Sequence, residues 1–205
     1  NVSVFIGGML VGLETIQKGA SDITDDIAST FGIRRAQAER LKCFHGSALT
    51  SPRDHQEVLD IGPDENGVEA GANAPRITKA QLNAVVCQRV DSIVTEIAQA
   101  LKTLGFSGPS GHQVVLTGGG AELKGAAEHM QGALGRTVRI GRPSGLASIP
   151  EAHSGPAFST LVGLIHYAAS ERVDLKSGYD LRVEQMAGTM PGLIERIKRA
   201  VRENF

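Results

Sequence analysis

Residues 113–140 carry the strongest constraint on the fold. A β-branched run, QVVLT, ends in three glycines (Gly118, Gly119, Gly120). Leu123, Ala126, Ala127, Met130 and Leu134 then fall on one helical face, and a second short run, TVRI, follows. Strand, helix, strand predicts a βαβ unit, two parallel strands joined by a right-handed crossover, which commits the chain to an α/β fold. Open α/β sheets take ligands at the carboxyl ends of their strands, where these glycines lie. The turn matches neither GxGxxG nor GxxxxGKS/T, so it is neither familiar phosphate loop. Bare backbone here lets a flat ring or a sugar lie against it. A turn that only avoids a Cβ clash with the next helix would use the same residues, and both readings stand at this point.

The flanking segments supply the rest of an α/β unit. NVSVFIGGMLVGLETI alternates apolar and polar residues around Gly7-Gly8, the pattern of a β-hairpin whose tight turn needs positive φ. Ile23, Ile27 and Phe31 are spaced for a short helix, with Asp22, Asp25 and Asp26 at its positive end and Gly32 as its stop. RRAQAERLKCFHG predicts a second helix ending at Gly46. Between Ser51 and Arg76, EVLDI and the turn sequences PDENG and GANAP predict a small antiparallel sheet. Thr78 to Gln81 has the form of a capping box. Leu82, Val85, Val86, Val90, Ile93, Ile97 and Leu101 repeat at three and four up to Gly105, predicting the longest helix of the chain. Pro156 opens AFSTLVGLIHYAA, which reads as a last core helix.

Composition narrows the function. The 205 residues are 41% hydrophobic and 21% charged, a balance ordinary for a folded chain, and the net charge of -1 argues against a nucleic-acid partner. Cys43 and Cys87 lack metal-ligand spacing and lie in helical segments, so buried thiols in a reducing cytosol are expected, with a disulfide as the alternative. The six histidines form no pair at ligand spacing. The Asp22, Asp25, Asp26 cluster is explained by helix-start carboxylates without a metal. No apolar run reaches the roughly 20 residues of a membrane span. The chain opens at Asn1 within a strand-like alternation, which suggests that sequence precedes it.

Two further patterns bear on function. Glu39 and Lys42, three apart on one helix face, form either a solvated ion pair or a carboxylate and ammonium able to hold sugar hydroxyls. At the carboxyl end, Leu193, Ile194, Ile197, Val201 and Phe205 form one stripe, with Arg196, Lys198, Arg199 and Arg202 around it. This basic amphipathic helix follows a polar stretch that reads as a linker. It suits an anionic membrane interface better than docking on its own domain.

Together these pieces resemble the second half of a protein of the actin and heat-shock-chaperone superfamily, and within it the bacterial cell-division family FtsA. VVLTGGGAELKGAAEHM is similar to the superfamily's adenosine motif, SDITDDIASTFG with AERLKCFHG to subdomain 2B, and GLASIPEAHSGPAFSTLVGLIHYA to the closing strand, loop and helix. The resemblance implies the second half of an actin-like (ribonuclease H-like) fold with a C-terminal amphipathic helix. Its parts would be the start of subdomain 2A (1–20), a 2B-like region (21–105), the rest of 2A with the adenosine motif (106–170), a linker (171–190) and a membrane-targeting helix (191–205). It implies that Gly118, Gly119, Gly120, Ala121 and Leu123 border the adenine and ribose of ATP, with Glu39 and Lys42 on the other side. Phosphate and magnesium would be held by a half lying upstream, and hydrolysis would be weak at most. It also implies polymerisation into filaments, other division proteins as partners, and a place at the septum on the cytoplasmic face of the inner membrane. There the amphipathic helix would tether filaments of the tubulin-like protein FtsZ. The FtsZ C-terminal peptide would meet the helix beginning near Thr78, with Arg89 the candidate for pairing with it. A member of the same superfamily that hydrolyses ATP, or one resembling MreB, is the alternative.

Overall fold

The computed structural model describes residues 1–62, 75–106, 113–145 and 150–170. Residues 1–163 form one compact unit, and residues 164–205 a second, of which the structure describes 164–170. The expected linker, the amphipathic helix and residues 63–74, which hold PDENG and all but the last residue of GANAP, lie outside the described residues.

The first unit is organised by a long central helix. Strands β1 (Val2–Ile6) and β2 (Met9–Glu14) pair antiparallel across the Gly7-Gly8 turn, and both glycines take the positive φ that such a turn requires. Helices α1 (Ala20–Phe31) and α2 (Arg35–His45) follow. Asp22 accepts a hydrogen bond from the Gly19 N–H at 2.7 Å, so this carboxylate acts as a helix-start cap. Pro52–His55 makes a 3-10 turn ahead of the EVLDI segment. Among the described residues the antiparallel sheet consists of β3 (Val58–Leu59) and β4 (Ile77–Thr78). Helix α3 (Lys79–Thr103) starts at the expected box, in which Gln81 and Thr78 cap one another.

Helices α1 and α2 pack on α3, and the shared core contains Ile23, Ile27, Ala38, Leu41, Ile77, Leu82, Val86, Val90 and Val94. Fully burying each large aliphatic side chain contributes about 1.5–3 kcal/mol, so this three-helix contact is the main stabilising body of the fold. The far end of α3 reaches the hairpin. A Cβ at Gly12 would lie 2.8 Å from a Leu104 methyl, so the strand and the helix end are in close contact there.

The βαβ unit is present as expected. Strands β5 (Val114–Leu116) and β6 (Val138–Ile140) are parallel, with Val114 opposite Val138 and Leu116 opposite Ile140, and α4 (Ala126–Leu134) joins them. Met130 and Val138 enter the same core as α3. Leu123, expected on the helix, precedes it. The glycines lead into a 3-10 turn at Gly119–Glu122, and α4 begins only at Ala126.

Two sequence expectations change here. α5 (Ser159–Ala169) is apolar in composition, yet only Val162 is buried, while Leu161, Leu164, Ile165 and Tyr167 are exposed. Apolar residues predict burial only where neighbours cover them, and the described residues supply cover for one. Cys43, expected as a buried thiol, is exposed, because α2 turns Gln37, Ala38 and Leu41 inward and leaves Cys43 off that face. Cys87 is half-buried, and both thiols are free.

A candidate nucleotide cleft

Two segments 80 residues apart form opposite walls of a cleft of about 660 Å³. One wall is α2, with Glu39, Lys42, Cys43 and Gly46. The other is the turn after β5, with Gly119, Gly120, Glu122, Leu123 and Lys124. The start of α1 closes one end with Ala20 and Ser21. Five of the seven residues expected at a nucleotide are thus brought together. Ala121 is buried and faces a neighbouring apolar cavity of about 250 Å³. Gly118 lies behind the wall, where its N–H donates to the Pro156 carbonyl at 3.0 Å.

The glycines have separable reasons. Gly118 adopts φ +90°, a conformation costly for any side chain. A Cβ at Gly119 would meet nothing within 4 Å, and one at Gly120 would make ordinary contact with Ala20 Cβ at 3.5 Å. Packing among the described residues therefore does not demand glycine at 119 or 120. Their bare backbone faces the cleft, the arrangement that admits a flat or close-packed ligand. Thr117 fixes the base of the turn by donating to the Gly141 carbonyl at 3.1 Å.

The α2 wall is held by a charged cluster. The Lys42 ammonium donates to Glu39 Oε2 at 2.7 Å, to Thr24 Oγ1 at 2.8 Å and to the Ala20 carbonyl at 3.1 Å. Thr24 in turn donates to Glu39 Oε2, and the Cys43 thiol approaches Glu39 Oε1 at 3.4 Å. Lys42 is nearly buried, with 11% of its side chain exposed, whereas Glu39 is 46% exposed and opens on the cleft. Burial works to raise the Glu39 carboxyl. Hydrogen bonds from Lys42, Thr24 and Cys43 outweigh it and hold the group below the usual carboxylate range. Burial, and then the hydrogen bond and charge of Glu39, push the Cys43 thiol up. Glu39 and Lys42 form an ion pair, but one anchored to α1 and not merely solvated.

The loop beyond α2 is tied to the opposite wall. The Ala48 N–H donates to the Lys124 carbonyl at 2.8 Å, and the His129 ring contacts the Ala48 carbonyl at 2.9 Å and Asp91 at 2.6 Å. Asn83, fully buried, accepts from the Ser47 N–H at 2.9 Å and donates to Asp54 at 3.0 Å. Thr24, Asn83 and the cleft residues Cys43, Glu122 and Lys124 were not legible as site residues. Their only signal is polarity at otherwise apolar or unremarkable positions.

Arg89 lies outside the cleft, on the α3 face toward α1. It forms a two-pronged pair with Asp26 at 2.5 and 2.6 Å, and that hydrogen bonding raises its guanidinium above the usual value. An acidic peptide at Arg89 would compete with Asp26. Among the described residues no group of His, Cys, Asp and Glu could hold a metal ion, and no helix is long and apolar enough to cross a membrane. The amphipathic residues Leu193, Ile194, Arg196, Ile197, Lys198, Val201, Arg202 and Phe205 lie outside the described residues.

The fold is shared with a solved structure. The ADP-bound MreB5 of Spiroplasma citri superposes with a TM-score of 0.55 at 19% identity, over 78% of this chain and 47% of that one. The fold is thus α/β and actin-like, related to MreB. Residues 1–163 match the family model "Cell division protein FtsA". Proteins of that name are 34% identical over 204 residues in Agrobacterium fabrum (all of this chain, 45% of that protein) and 38% over 167 residues in Rhizobium meliloti (81% and 37%). The Escherichia coli K12 protein is 27% identical over 213 residues, all of this chain and 49% of its own length. The chain belongs to the FtsA family of cell-division proteins and spans about half the length of these relatives.

Proposed function

We propose that this chain carries the adenosine side of an ATP site in a division adaptor that polymerises and tethers FtsZ filaments to the membrane. The observation that carries the reading is the cleft between α2 and the Gly119–Leu123 turn. Its size suits a nucleoside, and cavities of roughly 300–1,000 Å³ are the usual range for small ligands. Its chemistry also suits one. Bare backbone at Gly119 and Gly120 offers a surface for a flat base, and Leu123 offers apolar contact. Glu39 offers an acceptor for ribose hydroxyls. Lys42 holds that carboxylate in place, Gly118 shapes the turn and Ala121 backs it. Phosphate and magnesium would be bound by residues outside this chain, so this half supplies recognition of base and sugar, with weak hydrolysis at most. The ADP carried by MreB5, on the same fold, supports the reading.

In this reading residues 1–20 and 106–170 belong to subdomain 2A and 21–105 to 2B. Residues 171–190 link to a membrane helix at 191–205, which would place the protein at the septum on the cytoplasmic face of the inner membrane. Its apolar stripe and basic flank suit an anionic bilayer. Arg89, released from Asp26, would meet the acidic FtsZ peptide, and other division proteins would join the filament.

The test uses the intact protein. It should bind ATP by calorimetry, with Glu39→Ala weakening binding at least about tenfold by removing a charged hydrogen-bonding group. It should also sediment with vesicles containing anionic lipid, and Ile197→Glu should abolish that. Unchanged ATP affinity in Glu39→Ala refutes the nucleotide site, and unchanged sedimentation refutes the tether.

A further inference from the structure

Thr24 is fully buried on α1, one turn into a helix whose neighbouring positions Ile23 and Ile27 are core residues. Valine has almost the same shape and would satisfy the packing without a hydroxyl that needs partners. The hydroxyl is instead used twice. An ammonium has three donors, and Lys42 directs its three to Ala20, Thr24 and Glu39 Oε2, so Lys42 has none left for a ligand in this arrangement. Because Thr24 Oγ1 accepts from Lys42, its own proton goes to Glu39 Oε2. That oxygen is then doubly engaged on the protein side. Glu39 lines the cleft, and its other oxygen, Oε1, accepts among the described residues from the weak Cys43 thiol donor at 3.4 Å.

We infer that Thr24 is a positioning residue of the cleft, fixing the Glu39 carboxylate so that Oε1 is presented to a ligand donor such as a ribose hydroxyl. The inference rests on the nucleotide reading above. It divides that site's labour: Glu39 touches the ligand, while Lys42 and Thr24 orient Glu39 without touching it. A carboxylate held this way is acceptor-only, so it selects for donors and disfavours a ribose whose hydroxyls are removed.

The experiment measures ATP affinity of the intact protein across pH for the wild type, Thr24→Val and Thr24→Ser. Losing one charge-assisted hydrogen bond in the ring should weaken ATP about tenfold in Thr24→Val, and Thr24→Ser should recover it to within about twofold. Removing a donor from Glu39 should also move the acidic loss of binding to higher pH in the valine variant and not in the serine variant, a change that a merely structural role would not produce. 2′,3′-Dideoxy-ATP should bind the wild type and Thr24→Val with nearly equal affinity, since the positioned oxygen has no hydroxyl to accept from. If Thr24→Val does not fold, Thr24→Cys, of similar size and a poor donor, takes its place with the same expectations. Wild-type affinity and pH profile in the valine or cysteine variant, or equal weakening in the serine variant, overturns the inference while leaving the nucleotide site standing. Absence of ATP binding by the wild type overturns both.

Discussion

Replacing Asn83 by leucine tests how the cleft's outer wall is held. Asn83 sits in α3 with 1% of its surface exposed, accepts from the Ser47 N–H at 2.9 Å and donates to Asp54 at 3.0 Å. Leucine has the same branching, though a bulkier side chain, and can do neither. The Ser47 amide, in a residue 5% exposed, then loses its partner at a cost of roughly 1–3 kcal/mol. Asp54 is 7% exposed and keeps the Ser51 N–H at 2.8 Å, so its loss is a further 1–2 kcal/mol or so. Added apolar contact offsets about 1 kcal/mol. The net expectation is about 3 kcal/mol of destabilisation, read by urea unfolding of the intact protein. Hydrogen exchange should quicken at Ser47 and Ala48, because the same segment is pinned to Lys124. A loss below about 0.5 kcal/mol with unchanged exchange would refute the claim that this network fixes the wall.

Other expectations follow from single features. Gly125→Ala should cost about 2 kcal/mol or more in unfolding measurements, because the residue has φ +77° and a Cβ there would lie 2.4 Å from Leu49 Cγ. Glu39 has its carboxyl held below the usual range, so its contribution to stability is complete above the unfolded carboxyl's value and is lost as pH falls through the folded value. The stability gap between wild type and Glu39→Gln should therefore be widest near neutrality and close in acid. The Cys43 thiol, pushed up by burial and then by Glu39, should react with iodoacetamide at pH 8 more slowly than a free thiol, faster in Glu39→Gln, and slower with ATP bound. A double-mutant cycle on Arg89 and Asp26 should give a coupling of up to about 1 kcal/mol, since both side chains keep some exposure.

Much of the scaffold was legible because its signals are local. The Thr78–Gln81 box and the run from Leu82 onward define α3, and the β-branched runs around Gly118–Gly120 define the βαβ unit. Pairing Glu39 and Lys42 with the glycine turn drew on the family resemblance, since nothing in either segment states that they face each other. The 3-10 turn at Gly119–Glu122, the exposed face of α5 and the outward Cys43 depend on tertiary neighbours, which periodicity does not encode. Thr24 illustrates the limit best. In sequence it is one more polar residue beside two aspartates; only the packing of α1 on α2 turns its hydroxyl into the link between Lys42 and Glu39.

The central claim is that α2 and the glycine turn face one bound nucleoside. Photolabelling the intact protein with 8-azido-ATP, followed by peptide mapping, tests it most directly. Label is expected within residues 39–46 or 117–124, suppressed by excess ATP. Label confined to other segments, or label within these that excess ATP does not displace, would contradict it.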